Sequence, residues 1–267
     1  MANLKTGHLG AFLGDIVGSR FEWHNRKSKE FTMFHRKCMF TDDSVLTLAI
    51  MDIFNKHYQD VEAMITKTIQ QWARSFPNSG FGSYFKKWIY LDDPKPYGSL
   101  GNGSAMRISP VAWYAKTEEE LDKYVELFTN ITHNSPEALK AAKVVAHMIF
   151  MAKNGSSMDE LKTYANSQYD LNFDYNDLVL NYQFDATSEG SVPHAIYCFL
   201  ISNSLEDALR TAISIGGDSD TIGAICCSIA AAYYDDPDNL LGQAEDMLEE
   251  LKDVAEEFYK TINERNS

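Results

Sequence analysis

Gly10, Gly14 and Gly18 recur every fourth residue through the apolar segment from Gly10 to Gly18. Residues four apart share a helix face, so a helix here is bare of side chains along one side for successive turns. Each interior glycine costs about 1 kcal/mol relative to alanine. Three of them predict a second element lying at backbone distance, or a ligand approaching closely. The predicted helix runs from His8 to about Arg20. Asp15 falls within it, either as a satisfied buried carboxylate capping a neighbouring helix or as a ligand-site group. Glu22, just beyond, is placed at the mouth of a site.

The remaining periodicity is helical too, and alternating strand patterns bounded by hairpin turns are nearly absent. The expected fold is therefore all-α. Ser135 followed by Pro136 starts a helix that runs to about Asn154, with Gly155 after its last turn and Leu139, Ala142, Ala146 and Ile149 as its core stripe. Thr117 and Glu120 have capping-box spacing ahead of Leu121, Tyr124, Val125 and Phe128, and Ser204 opens another helix. From Pro237 one long amphipathic helix is expected, with an acidic outer face. The stretch from Tyr164 to Gly190, rich in Asn, Asp and aromatic residues, is the least regular and is expected to loop over a pocket or lie as plain surface.

No linker, low-complexity stretch or repeat divides the 267 residues, so one domain spanning 1–267 is expected. The segment Met1 to Gly7 lacks the apolar run of a signal peptide, and no stretch is long enough to cross a bilayer; the expectation is a cytoplasmic, monomeric protein without a membrane partner. Cys38, Cys198, Cys226 and Cys227 show no metal-binding spacing and read as reduced core residues. A net charge of −14 argues against nucleic acid, which needs a basic face. A small anion is compatible with that charge if metal ions, helix N-termini or an arginine offset the field locally.

Two short clusters carry the chemistry. Thr41-Asp42-Asp43 and Asp218-Ser219-Asp220-Thr221 each stand where a helix is predicted to begin. Asp and Thr are ordinary caps there, but a cap needs one acceptor and each cluster offers two carboxylates and a hydroxyl. Gly216-Gly217 lets the backbone turn tightly before the second cluster. Carboxylates this close repel unless a cation neutralises them. An all-oxygen donor set suits magnesium or manganese rather than soft metals.

Between the clusters, Tyr97-Gly98-Ser99-Leu100-Gly101-Asn102-Gly103-Ser104-Ala105-Met106-Arg107 is a glycine-rich loop feeding a helix. Backbone N–H groups at Gly101 and Gly103 and the Ser104 hydroxyl are expected to converge on a phosphate, although Gly-Asn-Gly also makes ordinary turns. His133, just before the helix start at Ser135, is either a surface residue or a donor to a ribose or phosphate oxygen. No Ser-His-Asp, Cys-His or nucleophile-elbow pattern is present.

Gly10 through Asp15 and Glu22, Thr41-Asp42-Asp43-Ser44, Gly101 through Arg107, Thr132-His133, and Gly216 through Ala224, in this order, make the chain resemble the ADP-ribosylglycohydrolases over nearly its whole length. The resemblance implies a compact orthogonal helical bundle. It implies that Thr41, Asp42, Asp43, Asp218, Asp220 and Thr221 hold two Mg2+ or Mn2+ ions, with Glu22 touching or gating them. Ser99, Gly101, Asn102, Gly103, Ser104, Met106 and His133 would bind the diphosphate and ribose of ADP-ribose. Three departures stand out: Ile225 through Ala232 stands where relatives usually carry further glycines, the usual proline-tryptophan ending is missing after Pro237, and the segment with Asp92, Asp93 and Lys95 matches no one subfamily.

The reaction so implied is hydrolysis at the anomeric carbon of an ADP-ribosyl group, with Asp42 and Asp43 holding metal and water and Glu22 assisting proton transfer. ADP-ribosylated arginine on protein is the expected acceptor. Serine-linked ADP-ribose, O-acetyl-ADP-ribose, a non-catalytic ADP-ribose binder and a metal phosphohydrolase are the alternatives.

Overall fold

The computed structural model of the chain describes residues 6–266; most of the segment that reads as lacking a signal peptide lies outside the described residues. Regular structure among the described residues is helical, with one isolated bridge between Gly101 and Thr187. In chain order the helices are α1 (Gly10–Gly18), α2 (Asp42–Asn55), α3 (Val61–Ser75), α4 (Ser83–Trp88), α5 (Gly103–Met106), α6 (Ser109–Tyr114), α7 (Glu118–Asn130) and α8 (Pro136–Lys153). They are followed by α9 (Met158–Gln168), α10 (Tyr175–Asn181), α11 (Ser188–Leu200), α12 (Leu205–Ser214), α13 (Ser219–Tyr233), α14 (Leu240–Asp246) and α15 (Lys252–Asn266).

Two central helices organise the rest. Every residue of α1 is buried, and so is every residue of α13 except Tyr233. The bare glycine face of α1 is where α13 lies: a Cβ built on Gly14 would stand 2.0 Å from the carbonyl of Gly223, one on Gly10 2.3 Å from the Cys227 oxygen, and one on Gly18 2.5 Å from the Ser219 oxygen. Glycine meets glycine at the closest point, and Cys226 and Cys227 supply small buried side chains further along. Helices α8, α11 and α12 pack around α13, while α2 lies on α1 and is backed by α3 and α15. The buried apolar side chains form one contiguous cluster from Leu9 to Ile262.

Helix starts follow the expected caps. The hydroxyls of Ser135, Thr117 and Ser204 accept from the N–H groups of Ala138, Glu120 and Asp207 at 3.2, 3.1 and 3.1 Å. At Thr117 the box is incomplete, because the Glu120 carboxylate accepts from the Lys116 N–H and also pairs with Arg265. The first helix is shorter than predicted, beginning as a 3-10 turn over Gly7–Leu9.

The long C-terminal helix expected from Pro237 is two helices. Asp236 accepts from the N–H groups of Leu240 and Leu241, both at 2.8 Å, and so starts α14. After Asp246 the chain breaks through a 3-10 turn at Glu249–Leu251, with Glu249 at φ 55°. The break lets α14 pack on α1 while α15 packs on α2, which a straight helix could not do for both faces. The four cysteines are free and buried. No described helix is long and apolar enough to cross a membrane.

Candidate active site

The heads of α2 and α13 and the segment after α1, through Glu22 and Trp23, meet at one cleft of about 680 Å³, within the size range of small-molecule sites. α1 contributes the fully buried Asp15. Its Oδ2 accepts from the N–H groups of Thr41 and Ser44 at 2.8 and 3.0 Å and from the Ser44 hydroxyl, and its Oδ1 accepts from the Thr41 hydroxyl at 2.7 Å. Asp15 is thus the carboxylate that ties α1 to the first turn of α2, one of the two roles its position predicted. With the α2 start so held, Asp42 and Asp43 point into the cleft.

The two acidic clusters come together. Asp43 Oδ2 lies 3.2 Å from the Thr221 hydroxyl and 3.3 Å from the Thr41 hydroxyl. Carboxylate oxygens of Asp15, Asp43 and Asp220 lie within 4.8 Å of one another, and so do those of Glu22, Asp218 and Asp220. Asp220 belongs to both groups. The capping explanation fails for Asp218, whose side chain accepts from no N–H of α13. Asp43 Oδ1 is buried with no partner; an orphan acceptor of that kind costs stability unless something not yet bound satisfies it.

The electrostatics agree with that reading. Burial, then the charges of Asp220 and Asp15, push the Asp42 carboxyl well above its ordinary range; Asp43 is raised by burial, then by Asp15 and Asp220. Asp220 is raised by burial and by Asp218, and Asp218 is pushed to about 6 by burial first. Glu22 reaches about 7 through burial and the charges of Asp220 and Asp15. Like charges collected in a buried site favour either protons or a cation. The donors are all oxygen, so this chain's residues fit a hard divalent cation.

The glycine loop forms the opposite wall, but its amides are used differently from the expectation. The Gly101 N–H donates to Ser99 Oγ at 3.2 Å and the Asn102 N–H to the Ala186 oxygen at 2.9 Å. The Ser104 hydroxyl donates to the Ala138 oxygen at 3.2 Å, and Ser104 does not line the cleft. Ser99, Gly101, Asn102, Gly103, Met106 and His133 do line it, as do Glu22, Asp42, Asp43, Asp218, Asp220 and Thr221. Thr41 sits behind, bonded to Asp15. The glycines matter sterically: a Cβ on Gly103 would lie 3.2 Å from His133 Nε2.

Among the lining residues, Trp23 and Tyr84 carry no signal in the sequence. Trp23 and Phe184 stack at the rim with ring centroids 5.3 Å apart, and Tyr84 stacks on Tyr97 at 6.1 Å. Phe184 and Ala186 arrive from the segment after α10, so that part of the Tyr164 to Gly190 stretch reaches the cleft, while the rest is more regular than expected: it carries the end of α9, all of α10 and the start of α11. Asn25, whose side chain exchanges hydrogen bonds with the Gly217 N–H and oxygen at 2.8 and 3.0 Å, holds the turn before Asp218. Gly216 and Gly217 both have φ near +74°, the left-handed geometry that favours glycine.

The family model for ADP-ribosylglycohydrolase matches residues 4–267. The chain is 26% identical to mouse ADP-ribosylhydrolase ARH3, over 84% of this chain and 82% of that one. It is also 26% identical to the ADP-ribosyl-[dinitrogen reductase] glycohydrolase of Rhodospirillum rubrum, over 85% of each. A solved structure described as an ADP-ribosylglycohydrolase-related protein complex shares the fold, with a TM-score of 0.71 at 21% identity across 97% of this chain and 99% of that one. By the whole-chain match to its family model, this protein belongs to the ADP-ribosylglycohydrolase family.

Proposed function

We propose that this protein hydrolyses the bond between ADP-ribose and a modified acceptor, and that the acceptor is arginine on protein. The observation that carries the reading is the meeting, in one cleft, of Glu22 and carboxylates from the heads of α2 and α13 with a glycine loop and a histidine, Asp15 of α1 standing close behind Asp43 and Asp220. A cation standing between them lets an anionic nucleotide and an acidic wall share a site.

Asp43, Asp218, Asp220, Thr41, Thr221 and Asp42 would hold Mg2+ or Mn2+, with Asp15 bracing the first cluster and Asp220, common to both oxygen groups, placed to serve two ions. Such ions, when bound, bind vicinal ribose hydroxyls and lower the pKa of water. The chain's own residues do the rest. Asp42 and Asp43 orient the attacking water at the anomeric carbon and take up its proton. Glu22 lies at the edge of the cleft, placed to assist proton transfer to the departing group. Loop residues Ser99, Gly101, Asn102, Gly103 and Met106, with His133, hold the diphosphate and ribose. Arginine is favoured as acceptor because the exposed Trp23–Phe184 stack lies on the same rim as Glu22, and a planar guanidinium is attracted to both an aromatic face and a carboxylate.

Release of ADP-ribose from arginine-modified, serine-modified and O-acetyl substrates, each with and without chelator, tests the proposal. It expects release from the arginine conjugate that chelator abolishes and Mg2+ or Mn2+ restores. Release of inorganic phosphate instead would support a phosphohydrolase, and binding of ADP-ribose without turnover would support a non-catalytic binder.

A further inference from the structure

Arg107 closes the glycine-loop motif, yet it makes no ion pair among the described residues. It is buried and lines the cleft. Its Nη2 donates to Thr132 Oγ1 at 3.0 Å and to the Phe128 oxygen at 3.4 Å, and its Nε has no partner. Thr132 is fully buried, and its Oγ1 lies 2.7 Å from His133 Nδ1.

The proton count at Thr132 selects one arrangement. A hydroxyl has one proton to give, while a guanidinium can only donate. Were Nδ1 protonated, Thr132 Oγ1 would accept from both Arg107 and His133, and its own proton would be stranded without an acceptor in a buried position, which is costly. With Nδ1 bare, Arg107 donates to Thr132, Thr132 donates to His133, and the hydroxyl is satisfied on both sides. The imidazolium fails on the same count, since it too protonates Nδ1. Burial and the nearby Arg107 charge also hold His133 well below its ordinary range. The proton therefore sits on Nε2, the nitrogen that borders the space left open by Gly101 and Gly103, 3.7 and 3.2 Å from where their Cβ atoms would be.

We infer that Arg107 and Thr132 form a one-way hydrogen-bond relay that locks His133 as the Nε2–H tautomer, a fixed neutral donor aimed at an anionic oxygen of a nucleoside diphosphate. The ligand class rests on the reading of the cleft as an ADP-ribose site; the tautomer rests on the relay alone. Arg107 and Thr132 are positioning residues, and the buried guanidinium behind them adds positive potential where the Gly101 and Asn102 amides supply none.

The tautomer is read by imidazole 15N spectroscopy on the ligand-free full chain, with His133 assigned by His133→Gln. The expected result is the neutral Nε2–H signature, unchanged between about pH 8 and 6, the range in which an ordinary histidine titrates. An Nδ1–H or imidazolium signature in the wild-type chain overturns the relay without need of any variant. Thr132→Val should lose the single tautomer and Thr132→Ser should keep it; an unchanged signature in Thr132→Val also overturns it. For binding, ADP-ribose affinity by calorimetry should fall about tenfold in Thr132→Val and recover in Thr132→Ser, as for loss of one hydrogen bond to a charged group. Equal affinities would remove the relay from ligand recognition. A wild-type chain that shows the expected tautomer but binds no ADP-ribose refutes the ligand class and with it the proposed function, an outcome distinct from a wrong tautomer.

Discussion

The Asn102 side-chain amide donates to Asp218 Oδ2 at 2.7 Å and to Ser191 Oγ at 3.1 Å, joining the glycine loop to the head of α13. One residue thus couples the wall that would hold the diphosphate to the wall that would hold the ions. Removing an outer partner of a metal-site carboxylate commonly costs 10–100-fold in affinity or activity. Asn102→Ala is expected to lower ADP-ribose release by about that factor while circular dichroism stays unchanged. Full activity would mean the two walls work independently.

Gly14 and Gly223 set the separation of α1 and α13. A methyl on Gly14 would overlap the Gly223 backbone at 2.0 Å, and neither helix has side-chain slack there to absorb it. Gly14→Ala is expected to destabilise by about 3 kcal/mol or more and to displace Asp15 from α2. Gly82→Ala, where a Cβ meets nothing within 4 Å, should stay within about 1 kcal/mol of wild type. Urea unfolding of the two variants separates a packing cost from a general loss of glycine.

Cation binding should be visible as stability without any substrate. Folded-state carboxyl values raised to about 6 at Asp218 and about 7 at Glu22 mean that the native chain binds more protons than the unfolded chain between about pH 4 and 7. Metal-free stability therefore falls as pH rises through that window. Mg2+ or Mn2+ should reverse the fall, adding ~2.7 kcal/mol at one hundred times its Kd, with little effect near pH 4. Thermal unfolding in chelator and in excess cation, at both ends of the window, checks the sign. Asp43→Asn should raise metal-free stability at pH 8 and abolish the cation response.

His8 gives the opposite pH dependence. It is buried against Trp113, Phe258 and Tyr259, stacked on the last at 5.8 Å, and burial lowers its value to about 4. The unfolded chain then binds the extra proton, so this contribution to stability is present above about pH 6.5 and lost as pH falls towards 4, to about 3 kcal/mol in all. His8→Phe should remove that acid loss. The difference in stability between variant and wild type, followed from pH 7 to 4, isolates it from the carboxylates.

The Trp23–Phe184 stack predicts where acceptor specificity resides. Trp23→Ala should raise KM for arginine-linked ADP-ribose about threefold to fivefold, the size of an exposed cation–π contact, and leave KM for O-acetyl-ADP-ribose unchanged. Equal effects on both substrates would place the stack under the nucleotide instead.

Much of this site was legible because its signals are local. The α1 glycine face follows from spacing alone, as do the caps at Ser135, Thr117 and Ser204. The surplus of carboxylates at Thr41-Asp42-Asp43 and Asp218-Ser219-Asp220-Thr221 exceeds what a cap uses. The C-terminal break at Glu249–Leu251 left no such trace, since no glycine or proline stands there; it arises because α14 and α15 pack on different partners. The use of the Ser104 hydroxyl and the Gly101 amide inside the loop was hidden for a related reason, as a residue's donors are claimed by whichever acceptor folding brings near.

By itself the sequence determined the helical class, the bare face of α1, and the two oxygen-rich helix heads, because propensity, capping and i, i+4 spacing act over a turn or two of chain. Only the tertiary structure decided that Asp15 braces α2, that Asp220 belongs to both carboxylate groups, that Asn102 ties loop to α13, and that Arg107 backs His133 through Thr132. Each of those joins residues 25 or more positions apart. Hydrogen bonds and like-charge repulsion at 3 to 5 Å depend on where a second element comes to rest, and no local spacing records that.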